Sequence, residues 1–195
     1  MTKDDITGLI LAGGKASRMG GSDKGLIAFK GKPMVTHVIN RLSPQVSEIL
    51  INANREIERY KSLGFTVITD EISGFAGPLA GLHAGMRAAK TEFIFSVPCD
   101  SPLLPEDLSP RLMAALESKK ADIAVAKTGE QHHPVFCLCR TSLAQNLEDY
   151  LSAGGRKVDE WQKQHAYVEV SFDDNPFAFS NINTPEELSK LEGGS

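Results

Sequence analysis

Leu11-Ala12-Gly13-Gly14-Lys15-Ala16-Ser17-Arg18-Met19-Gly20 runs on through Gly21-Ser22-Asp23-Lys24, which crowds glycines and the cations Lys15, Arg18 and Lys24 into one short stretch. These residue types suit anion binding: glycines let backbone N–H groups approach a phosphate closely, and the cations neutralise its charge. A glycine-rich turn with solvated charges is the plain alternative, and three cations within ten residues weigh against it. The stretch is not a P-loop, because G-x-x-x-x-G-K-[ST] is absent, and it does not read G-x-G-x-x-G either. Asn181 and Asn183 form a second candidate. Spaced i and i+2 in an extended segment they could aim both amides at a metal or phosphate, or they could belong to a turn leading into a capped helix.

The elements that must position these residues can be read from the apolar pattern. Ile6 to Leu11 is an aliphatic run ending in Ala12-Gly13-Gly14, which predicts a buried strand entering a glycine loop. Pro33 opens a helix on which Met34, Val35, Val38, Ile39 and Leu42 recur at helical spacing, and Pro44 stops it. Strands follow at 48–52 and 65–69, separated by a short helix over 56–63 that Gly64 caps. A helix of small and aliphatic residues over 77–89 leads to the strand 92–97, which ends at Pro98-Cys99-Asp100. Beyond it come a helix over 105–118, a strand at 122–126, a turn at Thr128-Gly129-Glu130 and a strand at 135–139. Helices over 142–151 and 157–164 and a strand at 167–172 complete the pattern. Thr184, Pro185 and Glu187 match a capping box that starts a last helix.

Regular β-α alternation with short connections implies an α/β fold: an open, mostly parallel sheet with helices on both faces. In such sheets ligands bind beyond the carboxyl ends of the strands, which points to Ala12-Gly13-Gly14, Asn52, Asp70 and Asp100.

The chain has 195 residues, enough for one domain spanning 1–195, with 41% hydrophobic and 24% charged residues. This is ordinary globular usage, so collagen-like, disordered and disulfide-scaffold classes fall away. A formal charge of −4 argues against a nucleic-acid partner. No apolar run approaches the length of a membrane span, and the acidic start Met1-Thr2-Lys3-Asp4-Asp5 is no secretory leader, so a cytoplasmic location is expected. Three cysteines are expected to remain thiols, with Cys137 and Cys139 buried on one strand face rather than binding metal. Nothing in the pattern suggests a helix-mediated oligomer, so a monomer is expected.

The pattern L-A-G-G-x-x-x-R-M-G-x-x-x-K at 11–24 resembles the signature of nucleotidyltransferases with a Rossmann-like fold. Gly77-Pro78-Leu79-Ala80-Gly81, Pro98-Cys99-Asp100 and Asn181-Ile182-Asn183-Thr184-Pro185-Glu186-Glu187-Leu188 narrow the resemblance to the MobA family of molybdenum cofactor guanylyltransferases, over nearly the whole chain. The resemblance implies that GMP passes from GTP to the terminal phosphate of molybdopterin, with loss of pyrophosphate.

It also implies roles for individual residues. Leu11, Ala12, Gly13 and Gly14 would line the guanosine end, Asn52 and Asp70 would face the nucleoside, and Arg18 and Lys24 would contact the triphosphate. Asp100 would coordinate a Mg²⁺ that bridges nucleotide phosphates, a hard cation suited to one or two carboxylates and phosphate oxygens. Asn181 and Asn183 would lie near the reacting groups. His133, Arg156 and Lys157 occupy places that would receive the pterin substrate, although a structural role for His133 fits the sequence equally well. The product implies other cofactor-assembly proteins and recipient apo-molybdoenzymes as partners.

Catalysis of this kind rests on positioning and charge neutralisation, so no nucleophilic side chain or general base is expected. Three other readings compete. A sister enzyme using CTP, or a sugar-phosphate nucleotidyltransferase, would share the fold and the metal logic. A GTP-binding assembly protein would lack a catalytic position, yet Arg18, Lys24, Asp100 and Asn183 are all present. A Rossmann oxidoreductase would need the glycine fingerprint that is missing.

Overall fold

A computed structural model describes residues 2–13, 23–72 and 77–179. Its main sheet has seven strands: β1 (Ile6–Leu11), β4 (Glu48–Asn52), β5 (Thr66–Ile68), β6 (Phe93–Pro98), β7 (Ile123–Thr128), β8 (Gln131–Arg140) and β9 (Tyr167–Ser171). Two further strands, β2 (Ala28–Phe29) and β3 (Lys32–Pro33), form a separate small hairpin. The helices are α1 (Met34–Leu42), α2 (Ile57–Lys61), α3 (Pro78–Ala88), α4 (Leu108–Lys119), α5 (Ala144–Ser152) and α6 (Val158–Gln162).

Strand order in the main sheet is β5-β4-β1-β6-β8-β7-β9. The chain moves outward from β1 to β4 and β5, then returns to place β6 on the other side of β1. That reversal opens a crevice at the carboxyl ends of β1 and β6, where open α/β sheets bind ligands. The expected mostly parallel sheet is present: β1 pairs in parallel with β4 and β6, β4 with β5, and β7 with β9.

Two buried layers flank the sheet because successive strand residues point to opposite faces. On one face Ile6 and Ile10 of β1 and Phe93, Phe95 and Val97 of β6 pack with Val35, Val38 and Leu42 of α1 and Leu108 and Leu112 of α4. On the other, Leu9 and Ile94 pack with Leu79, Leu82 and Met86 of α3, Leu147 and Leu151 of α5, and Trp161 of α6. The apolar stripe read from α1 is the stripe it buries.

Small residues let α3 lie directly on the sheet. A Cβ on Gly85 would stand 2.5 Å from Leu9 Cδ2 and 2.7 Å from Ile94 Cδ1, and one on Gly81 would run into Asn52 Oδ1. This close approach brings the start of α3 over the carboxyl ends of β1 and β4.

The turn expected at Thr128-Gly129-Glu130 is present: Gly129 at φ +51° sends the chain straight back after β7, and β8 is antiparallel to both neighbours. The structure departs from the sequence pattern in two places. Lys30 (φ +46°) and Gly31 (φ +77°) make a two-residue turn between β2 and β3, a hairpin too short to show an apolar alternation. Helix α4 begins at Leu108 rather than Pro105, because buried Gln45 intercepts its start. The Gln45 Nε2 donates to Pro105 O at 2.9 Å, and its Oε1 accepts from Ser109 N at 2.8 Å. The capping-box sequence at 184–187 lies outside the described residues.

Candidate active site

Beyond the last ladder residues, the carboxyl edge of the sheet is tied together by backbone bonds. Ala12 N donates to Asn52 O at 2.8 Å, Cys99 N to Leu11 O at 3.1 Å, and Ala53 N to Ile68 O at 2.9 Å. Leu11 therefore sits between Asn52 and Pro98, its register partners on the two sides. Side chains that leave the strands here are fixed relative to one another by the sheet itself.

One group of them surrounds Gly13. Asn52 Nδ2 donates to Asp70 Oδ1 at 2.9 Å, and Asn54 Nδ2 donates to Asp70 Oδ2 at 2.8 Å. Asp70 N in turn donates to Asn54 Oδ1 at 3.0 Å. Both carboxylate oxygens are thus engaged by carboxamides, and a neutral clamp fixes the aspartate without cancelling its charge. Gly13 is exposed, and its missing side chain matters: a Cβ there would lie 3.1 Å from Asn54 Nδ2 and 3.2 Å from Asn52 Oδ1.

Asn52 itself is only 2% exposed. It was expected to face a nucleoside; the structure places it beneath Gly13 and Gly81, holding Asp70. Leu11 is half-buried and Ala12 buried at the same strand end. Asn54 was not singled out from the sequence, although Asn-x-Asn just past a strand end carries the signal, since i and i+2 share a side.

The second group lies across β1. Lys24 opens a 3₁₀ turn (Lys24–Leu26) whose cap is Asp23, and Asp23 Oδ1 accepts from Gly25 N at 3.1 Å. From that turn Lys24 Nζ reaches Asp100 Oδ2 at 3.3 Å. Asp100 lies two residues past the end of β6, and its side chain is 11% exposed against 28% for Lys24. An ammonium and a carboxylate held together at the mouth of the crevice form a site able to receive phosphate oxygens and a divalent cation.

Below this pair, Tyr60 of α2 is fully buried and its hydroxyl donates to Asp23 Oδ1. Burial pushes the Asp23 carboxyl above the usual carboxylate range, with the Tyr60 and Gly25 hydrogen bonds pulling the other way. Burial also holds the Tyr60 phenol and the Cys99 thiol protonated, well above their ordinary values. Held protonated, neither is available as a base or nucleophile. Tyr60 was not anticipated from the sequence, because α2 is short and weakly patterned, and Asp23 was read only as part of the glycine-rich stretch.

Because β8 runs antiparallel, His133 near its start lies at the same sheet edge as the end of β6. There its ring stacks on Phe179 at 4.5 Å and meets Phe136 edge-on, and Nε2 is 2.8 Å from Thr128 Oγ1. Burial lowers its pKa. This is the packing of a structural histidine. Arg156 Nη1 donates to Leu151 O at 2.9 Å, and exposed Lys157 pairs with Glu160 at 2.6 Å.

The sheet edge is irregular at this end. Val125 pairs with Cys137 but Ala126 pairs with His133, so residues 134–136 bulge out of the ladder. Buried Ser96 Oγ and Gln162 Nε2 satisfy the bulged carbonyls of Val135 (2.6 Å) and Pro134 (2.8 Å). Cys99, Cys137 and Cys139 are buried free thiols, as expected. Among the described residues no three His, Cys, Asp or Glu groups gather to hold a metal, and no helix is long and apolar enough to cross a membrane. Gly14, Lys15, Arg18, Asn181 and Asn183 lie outside the described residues.

Comparison with known proteins places this site in context. A guanylyltransferase for the molybdenum cofactor from Shewanella sp. (strain W3-18-1) is 53% identical over 186 residues, covering 95% of each chain. The enzyme of the same name from Shewanella frigidimarina is 50% identical with the same coverage. Among solved structures, the molybdopterin-guanine dinucleotide biosynthesis protein A from Archaeoglobus fulgidus superposes with a TM-score of 0.79 at 23% identity, covering 96% of this chain and 97% of its own. A CMP-2-keto-3-deoxy-manno-octonic acid synthetase complexed with CTP superposes at 0.74 with 14% identity, covering 97% and 98%, and shares the fold. Residues 8–168 match the model of the MobA-like NTP transferase domain, and with relatives this similar over almost its whole length the chain belongs to that family.

Proposed function

We propose that the chain is a molybdenum cofactor guanylyltransferase: it transfers GMP from GTP to the terminal phosphate of molybdopterin and releases pyrophosphate. The observation that carries this reading is 53% identity to a curated enzyme of that name over 95% of both chains. A phosphate oxygen of molybdopterin attacks the α-phosphorus of GTP as the bond to the β-phosphate oxygen breaks. The attacking group is already an anion near neutral pH, so no side chain has to take a proton from it.

The chain's own residues supply position and charge. Gly13 gives the nucleotide close access to backbone at the end of β1, and the carboxylate of Asp70, clamped by Asn52 and Asn54, faces the nucleoside side. Lys24 neutralises charge on the phosphates and leaving pyrophosphate. Asp100 holds Lys24 in place and would offer an oxygen donor to Mg²⁺. A carboxylate at the crevice mouth, with phosphate oxygens completing the shell, fits such an ion without a preformed protein cage, and when bound it would offset the negative charge of the triphosphate. Arg18 adds a second cation from the glycine-rich stretch, Gly14 continues the nucleotide loop, and Asn181 and Asn183 serve the metal or second substrate. Arg156 and Lys157 remain the proposed cations on the pterin side, while His133 shapes that end of the cleft from its stack on Phe179.

Calorimetric titration with GTP, CTP, UTP and ATP, each with and without Mg²⁺, tests the reading. Selective, Mg²⁺-strengthened binding of GTP that weakens in Asp100→Ala supports it. Preference for CTP or UTP would reassign the nucleotide, and absence of nucleotide binding would overturn the proposal.

A further inference from the structure

The buried hydroxyl of Tyr60 stands at the junction of the two arms that carry Lys24 and Asp100. One arm is the 3₁₀ turn: Tyr60 Oη donates to Asp23 Oδ1, and the same oxygen accepts from Gly25 N at 3.1 Å, so the backbone is pinned on both sides of Lys24. The other arm is the end of β6. A Cβ built on Gly25 would lie 2.5 Å from Tyr60 Oη and 3.1 Å from Cys99 Sγ, so the turn rests directly on the tyrosine and on the residue preceding Asp100.

Lysine has a long, flexible side chain, so its reach depends on where its backbone is anchored. Here one anchor is a side chain with no exposed surface, that of Tyr60 on α2. A tyrosine buried only for its ring could have met any acceptor. This one meets the cap of the turn that presents Lys24.

We propose that Tyr60 is a positioning residue for nucleotidyl transfer: acting through Asp23 and Gly25, its hydroxyl holds Lys24 at the distance from Asp100 at which the ammonium can serve the phosphates. The proposal rests on the reading that Lys24 acts on those phosphates. Tyr60 touches no substrate and exchanges no proton in the reaction, and burial keeps its phenol a donor throughout the working pH range.

A double-mutant cycle separates positioning from bulk stability. Steady-state pyrophosphate release with GTP, Mg²⁺ and molybdopterin is measured for the unmodified chain, Tyr60→Phe, Lys24→Ala and the double variant, together with thermal midpoints. Tyr60→Phe is expected to lower kcat by about tenfold with KM for GTP changed less than about twofold, and to change kcat less than about twofold once Lys24 is absent. Asp23→Asn, which keeps an oxygen able to accept both hydrogen bonds, is expected to retain more activity than Asp23→Ala.

Each other outcome counts against the proposal. Unchanged kcat in Tyr60→Phe overturns it, as does a loss of the same factor with and without Lys24. Should Tyr60→Phe fail to fold, the cycle of Asp23→Ala with Lys24→Ala decides by the same criterion. Full turnover in Lys24→Ala overturns the reading of Lys24 first and the positioning proposal with it, whereas a large Lys24→Ala loss with independent effects overturns the positioning proposal alone.

Discussion

Lys24 and Asp100, 76 positions apart in the chain, meet at 3.3 Å where β6 ends beside β1. The pair is assembled from a 3₁₀ turn and a strand end that share no local sequence context. On the proposed mechanism, such groups act by stabilising charge that develops on the phosphates. We predict that Lys24→Ala and Asp100→Ala each lower kcat by about 10²-fold or more, the scale of a lost oxyanion donor. Single-turnover kinetics at saturating GTP and Mg²⁺ check this, and retained turnover in Asp100→Ala would contradict its metal role.

Gly25 has no space for a side chain, since the nearest atoms are Tyr60 Oη at 2.5 Å and Cys99 Sγ at 3.1 Å. Gly25→Ala should destabilise the fold by about 1–3 kcal/mol, the usual range for overpacking. Denaturant unfolding measures this loss. An alanine tolerated at no cost would show that the turn can lift away from β6.

The strands and the site are legible in the sequence to different depths. β1, β4, β5 and β6 are aliphatic or aromatic runs, so their carboxyl ends, and with them Gly13, Asn52, Asp70 and Asp100, can be located by the rule for open sheets, while Lys24 stands out only through the glycine-rich, cationic stretch it closes. The turn after β7 was legible at Thr128-Gly129-Glu130, but the insertion of β8 between β6 and β7 was not, because its antiparallel pairing with β6 joins residues some forty positions apart. The Asp23–Tyr60 contact was not legible either. It joins residues 37 positions apart, and nothing in the α2 stretch marks Tyr60 as buried beneath a turn rather than lying on a surface.

Asn52 lies buried with its Nδ2 on Asp70 and its Oδ1 beneath Gly81. Asp70→Ala removes the acceptor and leaves a buried amide donor unpaired, which should cost about 1–3 kcal/mol. The same variant should weaken GTP binding, whereas Asn54→Ala, on the exposed side of the clamp, should lose less stability. Thermal midpoints and calorimetry on the two variants distinguish them; equal losses of stability would contradict the burial argument.

Burial lowers the pKa of both His133 and His165 below the usual 6.5. The unfolded chain then binds more protons than the folded one between the folded values and 6.5, so stability falls as pH drops through that window. Asp23, shifted upward, contributes with the opposite sign, its folded form taking up a proton more readily. We predict that the thermal midpoint falls between about pH 7.5 and pH 5, and that His133→Phe, which keeps a ring against Phe179, flattens the slope. An unchanged slope in His133→Phe would remove His133 from the explanation.

The most direct test of the central claim is to incubate the purified chain with Mg²⁺, molybdopterin and either GTP or CTP, and to quantify the dinucleotide product and pyrophosphate together. We predict equal amounts of guanine dinucleotide and pyrophosphate from GTP, dependent on molybdopterin, and little product from CTP. Preferential use of CTP, or binding of GTP with no product at all, would contradict the assignment.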